Sequence, residues 1–300
     1  MHEVAAIILA GGDGTRLRSL TRRLVGDDRP KQFCSIVGHR TLLDQTRTRA
    51  AALAAPAHTL VVVTRAHESW YTPALAGVPR DNVVVQPAGR GTATAVLYAL
   101  ARQARIAPAR AVALLPSDHW VSDDAGFMAR VEAAVESVHA QPGAVVLLGI
   151  EPEQAETGYG WIEPGDLRLG HGGWPIYDVR RFWEKPPRAA AEALMRRGAL
   201  WNSFVTVANP AVLMHLIQRT LPGISAVFAS LVDRMGTPWE DEAARAVYTV
   251  LPAADLSKDV LERAPERLAV LPVTGVGWSD LGVPERVLAV AGDATAAVAV

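Results

Sequence analysis

The apolar positions in the first half of the chain fall in short continuous runs: Val4–Leu9, Leu60–Thr64, Val83–Val85, Ala111–Leu115 and Ala144–Ile150. Such runs suit strands buried on both faces. Between them the pattern changes to that of helices, expected over Thr41–Ala54, Thr92–Ala104 and Gly126–His139. In the last of these, Phe127, Val131, Ala134, Val135 and Val138 make one apolar stripe. Strand–helix alternation predicts a mainly parallel sheet with helices on both faces. In such sheets ligands bind at the carboxyl ends of the strands.

The second half is less regular. Strands are expected at Tyr159–Glu163, Ile176–Trp183 and Ser203–Ala208, and helices at Ala189–Arg197, Ala211–Thr220 and Ser257–Arg263. No internal repeat and no linker-like composition marks a boundary. The expectation is one domain over residues 1–292, with halves 1–150 and 151–292 sharing a sheet, and a loose Ala-rich tail at 293–300.

Composition narrows the classes. Half of the 300 residues are hydrophobic, enough for a substantial core. A net charge of −1 gives no electrostatic case for nucleic acid or an anionic membrane. Cys34 is the one cysteine, which excludes an intramolecular disulfide and a cysteine metal cluster and suits a reducing cytoplasm. The longest apolar runs are too short to span a bilayer. Glu3 and the lack of a small-residue cleavage site argue against a signal peptide.

Candidate chemistry begins where the first strand ends. Leu9-Ala10-Gly11-Gly12-Asp13-Gly14-Thr15-Arg16-Leu17 runs from strand into a glycine loop and a cation, and Arg29-Pro30-Lys31-Gln32-Phe33 follows. Glycines let backbone N–H groups approach an anion, and Arg16 and Lys31 can neutralise a polyphosphate. A P-loop is excluded, because no Lys-Ser or Lys-Thr pair follows the glycines. Gly12 and Gly14 fit the start of a dinucleotide fingerprint, but Leu17 stands where its third glycine belongs. The segment resembles the signature of the sugar-phosphate nucleotidyltransferases, and its Arg-Pro-Lys-Gln-Phe string is most similar to the mannose-1-phosphate guanylyltransferase branch.

That resemblance extends in motif order to about Gly282. It implies an α/β fold of Rossmann-like architecture, a mainly parallel mixed sheet flanked by helices, with residues 1–150 as the nucleotide half and 151–292 as the sugar-phosphate half. It leaves no room before the end of the sequence for the β-helix or isomerase domain of some relatives. Asp118, in Leu115-Pro116-Ser117-Asp118-His119, and Asp280, in Gly277-Trp278-Ser279-Asp280-Leu281-Gly282, resemble the family's metal positions. Two carboxylates plus phosphate oxygens are a sensible set for Mg²⁺. Gln86, Gly91 and Thr92 resemble the base- and ribose-binding turn, where the mannose branch usually has Glu for Gln86 and Asn for Gly91. Tyr159 and Gly160, Glu184 and Lys185, and Asn202 resemble the sugar-phosphate strings, with Phe204 in place of an expected glycine. Asp259 reads either as a sugar or metal neighbour or as an exposed helical charge.

The implied nucleotide contacts are therefore Leu9, Ala10, Gly11, Gly12, Gly14, Thr15, Arg16, Lys31, Gln86, Gly91, Thr92 and Asp118, and the catalytic set is Arg16, Lys31, Asp118, Lys185 and Asp280. The implied substrates are GTP and mannose 1-phosphate, with no nucleic acid or membrane partner and room for a homodimer. Glucose 1-phosphate with UTP, dTTP or ATP is the alternative pairing, and a non-catalytic nucleotide-sugar sensor a more distant one.

Overall fold

The computed structural model describes residues 4–106, 108–168 and 173–298. The chain opens with β1 (Val4–Leu9), α1 (Arg18–Val25), α2 (Leu42–Leu53), β2 (Thr59–Thr64), α3 (Glu68–Ala74), β3 (Val83–Gln86) and α4 (Thr92–Ile106). It continues with β4 (Ala111–Pro116), β5 (Trp120–Val121), α5 (Asp124–Ala140), β6 (Val145–Ile150), β7 (Gly160–Arg168), β8 (Ile176–Glu184) and α6 (Arg188–Arg196). The last elements are β9 (Leu200–Ala208), α7 (Pro210–Thr220), α8 (Pro222–Val232), α9 (Glu240–Val250), β10 (Leu268–Val273), β11 (Trp278–Ser279) and α10 (Pro284–Val298). Side chains fix several helix starts: Thr41 accepts the Asp44 N–H of α2 and Asp123 accepts the Gly126 N–H of α5.

Among the described residues nine strands form one sheet in the order β3-β2-β1-β4-β9-β6-β10-β8-β7. β1 is parallel to β2 and β4, β2 to β3, and β6 to β10. β9 lies between β4 and β6, antiparallel to both, so the second half of the chain contributes a strand to the centre of the sheet. Side chains alternate across the sheet. Ala6 and Ile8 join a core beneath α2 and α5, which contribute Leu43, Phe127 and Val131. Ala5 and Ile7 join the opposite core with Tyr98 of α4, Leu213, Phe228 and Tyr248. A third, small cluster of Leu17, Leu20, Leu42, Leu281, Val287 and Val290 joins the glycine-loop region to α10. Leu281 is fully buried there, and burying a leucine contributes about 1.5–3 kcal/mol.

Register brings the expected site together. Leu9 pairs with Val62 on one side and Pro116 on the other, and Thr64 pairs with Gln86. The glycine loop, the Gln86 turn and the Pro116–His119 turn thus leave one carboxyl edge.

One expectation is corrected. The helix expected at Ser257–Arg263 is a single π-helical turn over Ser257–Leu261. α10 runs through Val298, and residues 299 and 300 of the tail lie outside those described.

Candidate active site

The glycine loop is held by its carbonyls. Ala10 N–H stays in the ladder, donating to the Val62 carbonyl at 2.7 Å. The Gln32 side-chain amide then donates to the carbonyls of Ala10 (3.0 Å) and Gly12 (2.9 Å), and the Thr64 hydroxyl donates to that of Gly11 (2.9 Å). Gly14 turns the chain at φ +58°, and a Cβ there would sit 3.4 Å from the Lys31 nitrogen and Pro30 Cα. This left-handed conformation favours glycine. Asp13 at the tip is paired with His67 at 3.1 Å; burial pushes the His67 imidazole pKa down, against the pull of Asp13.

Beside the loop lies a cleft of about 490 Å³. Its charged end has Asp13, Arg16, Lys31, Asp118 and Asp280, and its apolar part has Leu9, Val62, Ala95 and Phe204, with Gln86, Gly91 and Thr92 alongside. Of the expected nucleotide residues, Leu9, Gly11, Gly12, Arg16, Lys31, Gln86, Gly91, Thr92 and Asp118 line it. Ala10, Gly14 and Thr15 shape the loop behind it.

Lys31 is the hub. The residue is 7% exposed. Its ammonium lies 3.3 Å from an Asp118 carboxylate oxygen and donates to the carbonyls of Asp280 and, at 3.2 Å, Leu281. Burial works against ionisation of Asp118, but the neighbouring Lys31 and then His119 hold its carboxyl below the usual carboxylate range. His119 is itself pushed down by burial, against the pull of Asp118. It stands edge-on to Trp278 at 5.2 Å.

Asp280 is held from the other side. Its Oδ1 accepts from the Tyr159 hydroxyl at 2.9 Å and the Gly282 N–H at 2.8 Å, and from Arg286. The Arg286 guanidinium also stands over the Tyr159 ring at 4.5 Å and lies 3.6 Å from Glu156. Tyr159 is buried, so its hydroxyl is committed to Asp280 here.

Gly160, Glu184 and Asn202 form a second group next to this one. A Cβ on Gly160 would come within 2.9 Å of a Glu184 carboxylate oxygen and 3.3 Å of Asn202 Cβ. Lys185 turns at φ +50° and pairs with Glu184 at 2.6 Å. Burial raises the Glu184 pKa despite Lys185. Asn202 donates to Ser257 at 3.4 Å on the π turn. Asp259 accepts the Asp255 N–H at 2.8 Å and pairs with Arg263 at 3.4 Å, closing that turn on itself.

At the base-side turn, the Tyr248 hydroxyl donates to the Gln86 amide oxygen at 3.2 Å. Gly91, at φ +83°, is required by the protein itself: a Cβ there would fall 2.1 Å from the Ala254 carbonyl oxygen. The Thr92 hydroxyl accepts the Leu256 N–H at 2.8 Å. Gln32, Thr64, Tyr248 and Arg286 were given no role by sequence reasoning. Only Gln32 carried a signal, inside the Arg29–Phe33 string.

Among the described residues no three His, Cys, Asp or Glu side chains are grouped to hold a metal. The donor set is instead a pair of carboxylates, Asp118 and Asp280, facing one cleft. Mg²⁺ commonly takes one or two carboxylates and completes its shell with water and phosphate oxygens, so the pair fits such an ion. No helix among the described residues is long and apolar enough to cross a membrane.

The glycine loop, the buried Lys31 and the carboxylates of Asp118 and Asp280 meet in one cleft at the carboxyl edge of the parallel strands. The Nucleotidyl transferase family model matches residues 5–296, and the chain belongs to that family. Its relatives include mannose-1-phosphate guanylyltransferase 2 of Escherichia coli O157:H7, 32% identical over 290 residues, covering 93% of this chain and 58% of that protein. Xanthan biosynthesis protein XanB of Xanthomonas campestris is 32% identical over 293 residues, covering 94% and 58%. The chain thus spans less than two thirds of these relatives' length. A Thermus thermophilus structure described as mannose-1-phosphate geranyltransferase superposes with a TM-score of 0.78 at 34% identity, covering 95% of this chain and 79% of that one. A UDP-glucose pyrophosphorylase bound to UDP-glucose shares the fold at 16% identity, with a TM-score of 0.60 over 98% of each chain.

Proposed function

We propose that the protein transfers a nucleotidyl group from GTP to mannose 1-phosphate, giving GDP-mannose and pyrophosphate. The observation that carries this reading is the meeting of Asp118, Asp280 and the glycine loop around Lys31. The relatives named as mannose-1-phosphate guanylyltransferases support the choice of substrates.

A sugar phosphate is largely dianionic near neutral pH, its second pKa being about 6, so it needs no general base to attack. The barrier lies in bringing two anions together and in charge at the α-phosphorus, which positioning and fixed charges lower. The glycine-loop N–H groups and Arg16 bind and orient the triphosphate. Lys31 stabilises the charge of the departing pyrophosphate. Gly160, Glu184 and Asn202 bind sugar hydroxyls, and Lys185 holds the acceptor phosphate in line. Asp118 and Asp280 would hold a Mg²⁺ ion, which supplies charge neutralisation at the phosphates when bound.

Gln86 bears on the base. With its amide oxygen taken by Tyr248, the NH₂ end beside Gly11 is left as the donor. A donor suits the O6 of guanine and opposes the amino group of adenine. It suits the O4 of uracil or thymine as well, so a uridylyl or thymidylyl donor is the second reading. Pyrophosphate release across four nucleotides and several sugar 1-phosphates tests the assignment. A maximum at GTP with mannose 1-phosphate supports it, a maximum elsewhere replaces the substrates, and release with no pair removes the catalytic reading.

A further inference from the structure

Phe204 occupies a backbone conformation that bulky residues avoid. Its φ is +65°, in the left-handed region, where a Cβ crowds the following carbonyl. The strain comes with a bulge in a central strand. Leu147 of β6 pairs with Thr206 of β9, but Gly149 pairs with Asn202, so two steps on β6 face four on β9. The bulge is fastened on each side. The Ser203 hydroxyl donates to the Leu148 carbonyl at 2.7 Å, and Asn202 Oδ1 accepts the Phe204 N–H at 3.0 Å.

A strained residue at a site, held by its surroundings, points to a use for it. The Phe204 ring packs on the α4 face of the sheet with Leu9. It is half-buried and lines the cleft with Leu9, Val62, Ala95 and Gln86. The charged groups of the cleft, Arg16, Lys31, Asp118 and Asp280, suit phosphates. The apolar part next to Gln86 suits the flat and largely apolar part of a nucleotide, its nucleoside.

We infer that Phe204 is a nucleotide-binding residue whose ring forms one wall for the nucleoside, its left-handed backbone being the cost of aiming the ring into the cleft. The inference rests on the nucleotide-transfer reading of this cleft and adds to it a determinant of nucleoside affinity. A ring in contact with a base or ribose is worth a severalfold change in affinity.

The test is Phe204→Gly, which relieves the backbone, together with Phe204→Asn, whose residue tolerates this φ while lacking the ring. Nucleoside triphosphate affinity is read by calorimetry with GTP and UTP, and KM for each substrate by pyrophosphate release. Both variants are expected to weaken the preferred nucleotide about 3- to 10-fold. The sugar-phosphate KM should stay within about twofold, with thermal melts showing that both variants are folded. Unchanged nucleotide affinity in a folded variant overturns the inference, as does equal loss for both substrates. If the wild-type protein binds nucleotide but releases no pyrophosphate, the transfer reading fails while the binding comparison still decides the role of Phe204. If it binds no nucleotide, both fall.

Discussion

The Lys31 ammonium lies 3.3 Å from the Asp118 carboxylate while donating to the backbone carbonyl of Asp280. One buried cation therefore spaces the two carboxylate-bearing segments. Lys31→Met should lower kcat by about 10²-fold or more, the cost of losing one electrostatic stabiliser. It should also cost about 1–3 kcal/mol of stability, because acceptors are left unpaired. Denaturant melts and initial rates on the same sample check both, and a fully active variant would refute the catalytic role.

Asp118→Asn keeps the shape of the side chain and removes its charge. Turnover is expected to fall by about 10²-fold or more, with the melting temperature within a few degrees of wild type. Mg²⁺ titration of the residual rate should show weakened dependence on the ion. Retained activity at ordinary Mg²⁺ concentrations would exclude Asp118 as a ligand.

Arg286 reaches Asp280 and Tyr159 together. Partners that orient a ligating group typically matter about 10- to 100-fold. Arg286→Ala is expected to lower activity by that range, and Arg286→Lys to recover part of it. Equal rates in all three proteins would show that Asp280 needs no such support.

The two Gln32 hydrogen bonds hold the carbonyls of Ala10 and Gly12. Gln32→Ala should cost about 1–3 kcal/mol and raise the KM for nucleotide more than the KM for sugar phosphate. Steady-state kinetics with each substrate varied in turn would show whether the effect is confined to the nucleotide.

Glu184 gives a pH dependence with a definite sign. Burial raises its folded pKa above the unfolded value, which is about 4.3. The folded state then binds the proton more tightly, so its contribution is fully present below the unfolded pKa and is lost as pH rises through the folded pKa. Glu184→Gln should therefore gain stability relative to wild type across that window and level off above it. Paired melts from about pH 3.5 upward, starting below the unfolded pKa, measure the difference, and a gap that stays constant would remove the effect.

Much of the fold was legible because the parallel strands are buried on both faces. β1 was placed to the residue, since every position from Val4 to Leu9 is apolar. β10 was not read, although Leu268–Val273 is equally apolar; Pro272 argues against a central strand. The structure accommodates it because β8 pairs with β10 only at Ala269 and Val270, leaving Pro272 beyond that ladder. α3 carries Pro73 in its own interior, which weakens its helix signal. The residues on strand-to-turn motifs that line the cleft were legible. Arg286 and Tyr248 were not, because each sits on a helix whose sequence shows only amphipathic packing, and their contacts with Tyr159 and Gln86 cross more than 100 positions.

The small apolar cluster that joins Leu17 to Leu281 and α10 also sets an order of events. Lys31 and the Asp280 carbonyl it holds are 249 positions apart, so closing that contact must wait for nearly all of the intervening chain. During synthesis the sheet edge and the glycine loop can form early. A chain whose residues near Asp280 are still in the ribosome has half of the anion site and no finished clamp. Completion of the cleft is thus a late-arriving property of this fold, gained when two segments 249 positions apart meet.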